Sequence, residues 1–254
     1  MKINEHISRL KLEFKDIFTT IYTVKTPEGV LVFDTATYPE DITVHLAAHL
    51  ETEGIPKEDV RGVFISHKHR DHAGGLPAFA KEYPHAKIYA RSEVIREEYP
   101  GRVISLEDGQ ELFGGLRIVT VPGHTADSAC VLDPRDMILI TGDCLQLYGV
   151  FGSGNWCANI SFPVLYLEAL KKLETLGIRR ILTAHDYHPC GWDYQDQATI
   201  ALALQSCREP LEVIRQLILA HPDEDDAAIT ARFNNPSLPK LGTHVTTHIR
   251  RELL

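Results

Sequence analysis

The sequence predicts a layered α/β protein whose chemistry gathers beyond the ends of its strands. In the first half, short β-rich runs alternate with turn residues and amphipathic segments. The second half is more helical, and four separate strands end in His or Asp. In layered α/β folds, loops beyond strand ends can converge on one site.

The elements follow in order. "IYTVKTPEGVLVFDTA" reads as a hairpin, with strands Ile21–Lys25 and Val30–Asp34 joined by a Pro-Glu-Gly turn. "PEDITVHLAAHLETEG" reads as an amphipathic helix that buries Ile42, Leu46 and Leu50 and stops at Gly54. "VRGVFISH" is a buried strand with His67 at its carboxyl end. "GGLPAFAKEYP" is a helix and "AKIYA" another strand. "GLRIVTVPGH", "SACVLDP" and "DMILITGD" are three further strands, the first and third ending in polar chemistry. "PVLYLEALKKLETLG" is a helix that stops at Gly177, and "RRILTAHD" is a strand that ends at His185. A helix runs from near Tyr194 through Ala220, and the polar break "HPDEDDAA" precedes two short helices. No internal repeat and no long linker interrupts the chain.

Composition narrows the function. The chain has 254 residues, 44% of them hydrophobic, enough for one sizeable core or a main domain with a small appendage. A formal charge of -9 disfavours generic nucleic-acid binding. The densest basic patch, Lys171 and Lys172 with Arg179 and Arg180, suits a solvated helix end at least as well. No apolar run is long enough to cross a bilayer, and "MKINEHISRL" carries charges where a signal peptide needs apolar residues. Cytoplasmic placement is therefore expected, without membrane association. Cys130, Cys144, Cys157, Cys190 and Cys207 are odd in number and form no C-x-x-C pair, so reduced thiols are expected.

The segment "FISHKHRDHAGG" packs His67, His69, Asp71 and His72 into one short loop after a strand. Neutral imidazole and carboxylate are good ligands for a borderline cation such as Zn²⁺. Gly74 and Gly75 let the backbone turn tightly beneath them. One loop supplies too few ligands for a catalytic centre. "VPGHT" adds His124, "ITGD" adds Asp143 and "LTAHD" adds His185, each at a strand end.

These pieces resemble the metallo-β-lactamase superfamily. The matching residues are "SHKHRDHAGG", "VPGHTADS", "ITGDCL" and "TAHD", preceded by "VFDTA" around Asp34, in the superfamily's order from roughly Ile17 to His185. The resemblance implies a four-layer αββα sandwich with a small C-terminal helical extension. Residues 1–193 would form the catalytic domain, and 194–254 would be helices packed on it. It further implies two divalent metal ions, Zn²⁺ by default, with Fe and Mn tolerated by the same ligands. His67, His69 and His124 would bind the first, and Asp71, His72 and His185 the second. Asp143 would bridge them. Position 69 is His rather than Glu, which looks like the hydrolytic branch and not the oxygen-reducing flavodiiron one.

Two close cations acidify a shared water, so the implied reaction is hydrolysis of an ester-like acyl bond in a small molecule: a thioester, a lactone or a β-lactam. Asp71 would also orient the attacking oxygen. Tyr148 is assigned to catalysis as a donor to the developing oxyanion, with packing as the other reading. Asp34 would fix an imidazole by family analogy, or merely end a strand. For Ser66 and Thr125 a local hydrogen bond is the simpler reading. His188 could line the pocket, and Arg70 could hold a substrate carboxylate or face solvent. Gly149–Phe162, with Phe151, Trp156 and Phe162, suits a pocket wall. Cys144 is expected to be a packed thiol. His6, His45, His49, His85, His221, His244 and His248 receive no role, and His45 and His49 are placed on an exposed helix face. The tail could shape the pocket or a contact between copies of the chain.

Two other chemistries suit the same ligands. One is phosphodiester cleavage in a small molecule. The other is thiol dioxygenation at a single iron.

Overall fold

Among the residues described by the computed structural model (1–14, 17–147, 158–187, 191–234 and 240–254), strands pair into two six-stranded sheets. The first runs in chain order through β1 (Ile7–Phe14), β2 (Ile17–Thr26), β3 (Gly29–Phe33), β4 (Val60–Ile65), β5 (Lys87–Ala90) and β6 (Val103–Ile104). The second is ordered β12 (Gly191–Tyr194), β11 (Arg180–Tyr187), β10 (Ile138–Ile140), β9 (Ala129–Asp133), β8 (Leu116–Thr120) and β7 (Glu111–Leu112). Both sheets are mixed. β1, β2 and β3 are antiparallel and β3 to β6 parallel, while β10 pairs β11 in parallel and β11 pairs β12 antiparallel.

The chain forms two compact units. One comprises Met1–Thr120 with Ala129–Pro134. Its parallel strands are connected by helices: a π-helical stretch (Asp41–Leu46) that continues as α1 (Ala47–Thr52), then α2 (Arg70–Ala73), α3 (Leu76–Glu82) and α4 (Glu93–Glu98). The core follows from the expected spacing. Ile42, Leu46 and Leu50 are buried against Ile21, Val32, Val63, Ile65 and Phe79. Burying each such side chain contributes about 1.5–3 kcal/mol. Phe33 stacks on Phe64 at 5.0 Å and meets Tyr22 edge-on at 6.3 Å.

The other unit comprises Val121–Ser128 with Arg135–Leu254. It carries β10 to β12 and the helices α5 (Pro163–Thr175), α6 (Gln197–Ala220), α7 (Asp226–Phe233) and α8 (Thr243–Leu253). α5 packs against α6 and α8, and α6 packs against α7 and α8. Asp196 caps α6 by accepting the Thr199 N–H at 2.8 Å, and Asp225 caps α7 through the Ala228 N–H at 2.8 Å.

Some elements depart from the sequence expectation. β1 has no counterpart in it, because its charged residues break the apolar pattern; its register is set by eight residue pairs with β2. β11 continues past His185 to Tyr187, and β12 precedes the long helix. The antiparallel pairing of Tyr187 with Gly191 and of Ile181 with Tyr194 extends both. Gly74 and Gly75 take ordinary right-handed angles, φ -66° and -79°. Their need is for space: a Cβ at Gly74 would lie 2.4 Å from the Thr37 carbonyl oxygen, and one at Gly75 2.2 Å from that of Thr35.

Candidate metal centre

In the first unit, the chain leaves β4 in an extended stretch and then closes α2. Alternation along the extended part turns His67 and His69 the same way, while Lys68 and Arg70 are exposed. The first turn then returns His72, whose N–H donates to the His69 carbonyl at 3.0 Å. Ring centroids of His67 and His69 are 4.6 Å apart, and those of His67 and His72 4.3 Å. Asp71 Oδ2 stands 3.6 Å from His72 Nε2. Thr19 Oγ1 donates to the Asp71 carbonyl at 2.9 Å. The Thr35 N–H and Oγ1–H both donate to the His72 carbonyl, at 2.7 and 3.0 Å.

Asp34 organises this loop from the end of β3. It takes φ 62°, a left-handed angle that Asp adopts more readily than most residues. Its Oδ2 accepts the His72 Nδ1–H at 2.8 Å and the Ser66 Oγ–H at 2.8 Å. Its Oδ1 accepts the Ser66 N–H at 2.7 Å. Burial pushes the Asp34 carboxyl above its usual range, opposed by the charge and hydrogen bond of His72 and by the two Ser66 bonds. The role considered for Asp34 by analogy is therefore the one its contacts support. Ser66 does more than expected: its Oγ also lies 3.1 Å from His67 Nδ1.

In the second unit, His124 follows the strand-like "VPG" segment and is buried. Its Nδ1–H donates to the Asn159 carbonyl at 2.7 Å. Asp143 follows β10 after Gly142, whose φ of 54° makes the sharp turn. His185 lies within β11. His185 Nε2 is 3.1 Å from Asp143 Oδ1, and His124 Nε2 is 3.9 Å from Asp143 Oδ2. Thr125 keeps to local bonding, with its Oγ1 2.8 Å from Ser128 Oγ.

Of the seven expected ligands, the first unit gathers His67, His69, Asp71 and His72 in one loop, and the second unit brings His124 and His185 to Asp143. The donor chemistry fits divalent metal. His72 and His124 each donate Nδ1–H to a fixed oxygen, which leaves the Nε2 lone pair for a cation.

Tyr148, Phe151, Trp156 and His188 lie outside the described residues. Arg70 is exposed, with its guanidinium 5.8 Å from the centre of the Tyr38 ring. Cys144 is buried, as a packed thiol would be. Three residues without an expected role take part in hydrogen bonds here. His49 is half-buried rather than exposed, with Nε2 2.9 Å from Ser8 Oγ. His244 and His248 reach Asn159 Oδ1 and the Ile160 carbonyl, at 3.0 and 3.1 Å. Gln146 and Asn159, which contact the segments carrying Asp143 and His124, had no signal beyond the place of Asn159 in the amide-rich Gly149–Phe162 stretch and of Gln146 just before it.

The ordered recurrence of these ligands matches the family model described as the metallo-beta-lactamase superfamily over residues 15–185. The chain belongs to that superfamily. A metallo-beta-lactamase family protein from Thermus thermophilus shares the fold, with TM-score 0.70 and 18% identity, covering 98% of this chain and 92% of that one. The expected metallo-β-lactamase type of α/β fold is thus observed, with two mixed sheets and connecting helices. Among curated relatives, a hydroxyacylglutathione hydrolase of Francisella tularensis subsp. novicida is 32% identical over 136 residues, 52% of this chain and 51% of its own length. The atrochrysone carboxyl ACP thioesterase AacuM of Aspergillus aculeatus is 30% identical over 172 residues, 66% of this chain and 50% of its own length. The chain spans about half the length of these two relatives. The superfamily includes hydrolases, and the His and Asp side chains gathered in each unit could hold divalent metal. No helix among the described residues is long and apolar enough to cross a membrane.

Proposed function

We propose that this superfamily member is a binuclear metal-dependent hydrolase that cleaves an ester-like acyl bond in a small molecule. Zn²⁺ is the metal the ligands favour, and a thioester, lactone or β-lactam is the substrate class. The observation that carries the proposal is the donor set: His67, His69, Asp71 and His72 gathered in one loop, and His124 and His185 beside Asp143. His67, His69 and His124 hold one cation, Asp71, His72 and His185 the other, and Asp143 both. The names of the relatives, a hydroxyacylglutathione hydrolase and a thioesterase, favour an acyl substrate. The protein acts in the cytoplasm on a small molecule, with no nucleic-acid or membrane partner and with a tail that could join copies of the chain.

Bound at these residues, divalent cations supply Lewis acidity toward a substrate oxygen and make water a nucleophile near neutral pH. The rest is done by side chains. Asp34 holds the His72 ring so that Nε2 keeps one direction, and the Asn159 carbonyl does so for His124. Asp71, half-buried with a partly accessible carboxylate, orients the attacking water by accepting one of its hydrogens. Tyr148, which follows Asp143 closely in the sequence, would serve as hydrogen-bond donor to the developing oxyanion.

The test is a panel of thioesters, lactones, β-lactams and phosphodiesters, run on protein of measured metal content. Turnover of an acyl substrate is expected, and Asp71→Ala is expected to lower kcat/KM about 100-fold or more while the protein stays folded. Phosphodiester cleavage without esterase activity would replace this reading with the phosphodiesterase one. Turnover of a thiol with oxygen at a single iron would replace it with the dioxygenase one.

A further inference from the structure

The ligands His124 and Asp143 sit on segments far apart in sequence, yet one buried side chain contacts both supports. Gln146 Nε2–H donates to the Asp143 carbonyl at 2.9 Å, and Gln146 Oε1 accepts the Asn159 N–H at 2.7 Å. Asn159 in turn accepts the His124 Nδ1–H on its own carbonyl. The run Asp143, Gln146, Asn159, His124 is thus continuous through hydrogen bonds within the second unit. Gln146 is itself held, because its N–H donates to the Tyr166 hydroxyl at 2.7 Å. The Tyr166 ring packs so closely on Gly123, the residue before His124, that a Cβ there would lie 2.2 Å from the ring. Ser161 and Phe162 donate their N–H groups to the Gly123 carbonyl at 2.8 and 3.0 Å.

The same segment is gripped by the last helix. His244 Nε2–H donates to Asn159 Oδ1 at 3.0 Å, and His248 Nδ1–H donates to the Ile160 carbonyl at 3.1 Å. These residues are four apart on α8 and so share a face. Their two contacts fall on consecutive residues beside the support of His124.

We propose that Gln146 is a positioning residue for the metal centre, with its amide fixing His124 and Asp143 relative to each other, and that α8 braces this clamp through His244 and His248. The proposal rests on the metal centre argued above and gives the C-terminal helices a part in it. An amide suits the task because it offers one donor and one acceptor in fixed positions. A carboxylate at 146 would keep the acceptor for Asn159 and set a second oxygen against the Asp143 carbonyl. Alanine would remove both bonds and leave the Asn159 N–H without this acceptor.

The test measures Co²⁺ and Zn²⁺ affinity by chelator competition, the visible spectrum of the Co²⁺ form, and thermal unfolding of metal-free protein. The variants are Gln146→Ala, Gln146→Glu and the double change His244→Ala with His248→Ala. Both Gln146 variants are expected to weaken at least one metal-binding step about 10–100-fold and to alter the Co²⁺ spectrum. Their metal-free forms are expected to unfold cooperatively. The double variant is expected to shift affinity in the same direction by less. If Gln146→Ala does not fold, the nearly isosteric Gln146→Glu and the double variant decide the matter. Wild-type affinity and spectrum in the folded Gln146 variants would overturn the clamp, and an unchanged double variant would overturn the brace. Wild-type protein that takes up no divalent metal would overturn the centre itself, an outcome distinct from the other two.

Discussion

His72 donates its Nδ1–H to Asp34 at 2.8 Å, and neither side chain is exposed to solvent. This pair ties the end of β3 to α2, the helix that follows β4, and fixes the tautomer of a proposed metal ligand. Asp34→Ala is expected to lower metal affinity about 10–100-fold. Asp34→Asn keeps a residue tolerant of the left-handed backbone and one acceptor for His72, so its loss should be smaller. Isothermal titration with Zn²⁺ checks the order; equal affinities in all three proteins would contradict it.

Gly75 lies beneath the ligand loop, with its Cβ position 2.2 Å from the Thr35 carbonyl oxygen. Thr35 is also the residue whose N–H bonds the His72 carbonyl. Gly75→Ala therefore forces the two segments apart and should cost about 1–3 kcal/mol, as overpacking does. Urea unfolding of metal-free protein measures this cost, and a midpoint equal to wild type would show that the contact relaxes freely.

His49 gives a pH dependence of stability with a definite sign. Burial holds its pKa below 6.5, aided by the terminal amine and Lys25 and opposed by Glu53. The unfolded chain therefore takes up this proton first. Stability from the neutral imidazole is complete above pH 6.5 and declines as pH falls from there, until the folded His49 protonates as well. Comparing wild type with His49→Gln by urea unfolding on both sides of that pH isolates the effect. The variant should show a shallower decline, and identical slopes would refute it.

Removing metal should destabilise the fold. The proposed ligands come from segments distant in sequence that only folding can assemble, so metal would bind the folded state preferentially. At free metal about 100 times its dissociation constant the stabilisation is about 2.7 kcal/mol. Chelation should lower the melting temperature, and added Zn²⁺ should restore it. Melting curves indifferent to chelator would argue against a metal-linked fold.

The sites most legible in the sequence are those where one short motif carries the chemistry. The loop from His67 to His72 declares itself because so many polar ligands in one turn have no packing use. His124, Asp143 and His185 are legible because each follows or ends an apolar strand pattern. The burial of Ile42, Leu46 and Leu50 follows from helical period alone. Strand β1 is illegible for a related reason: its alternation is broken by charge, and only pairing with β2 holds it extended. Ser66 looks like a local hydroxyl until Asp34 is seen to accept from both its N–H and its Oγ–H.

By itself the sequence determined the types of the candidate ligands, their order and the core face of the Ile42–Leu50 helix, since these depend on side-chain chemistry and short-range period. The tertiary structure decided that His72 donates to a carboxylate and His124 to a carbonyl, and so which nitrogen of each remains for metal. It also decided that Gly74 and Gly75 answer to carbonyls of a distant turn, and that two histidines of the last helix meet the support of His124. Such contacts depend on where chain segments cross, and no local pattern encodes a crossing.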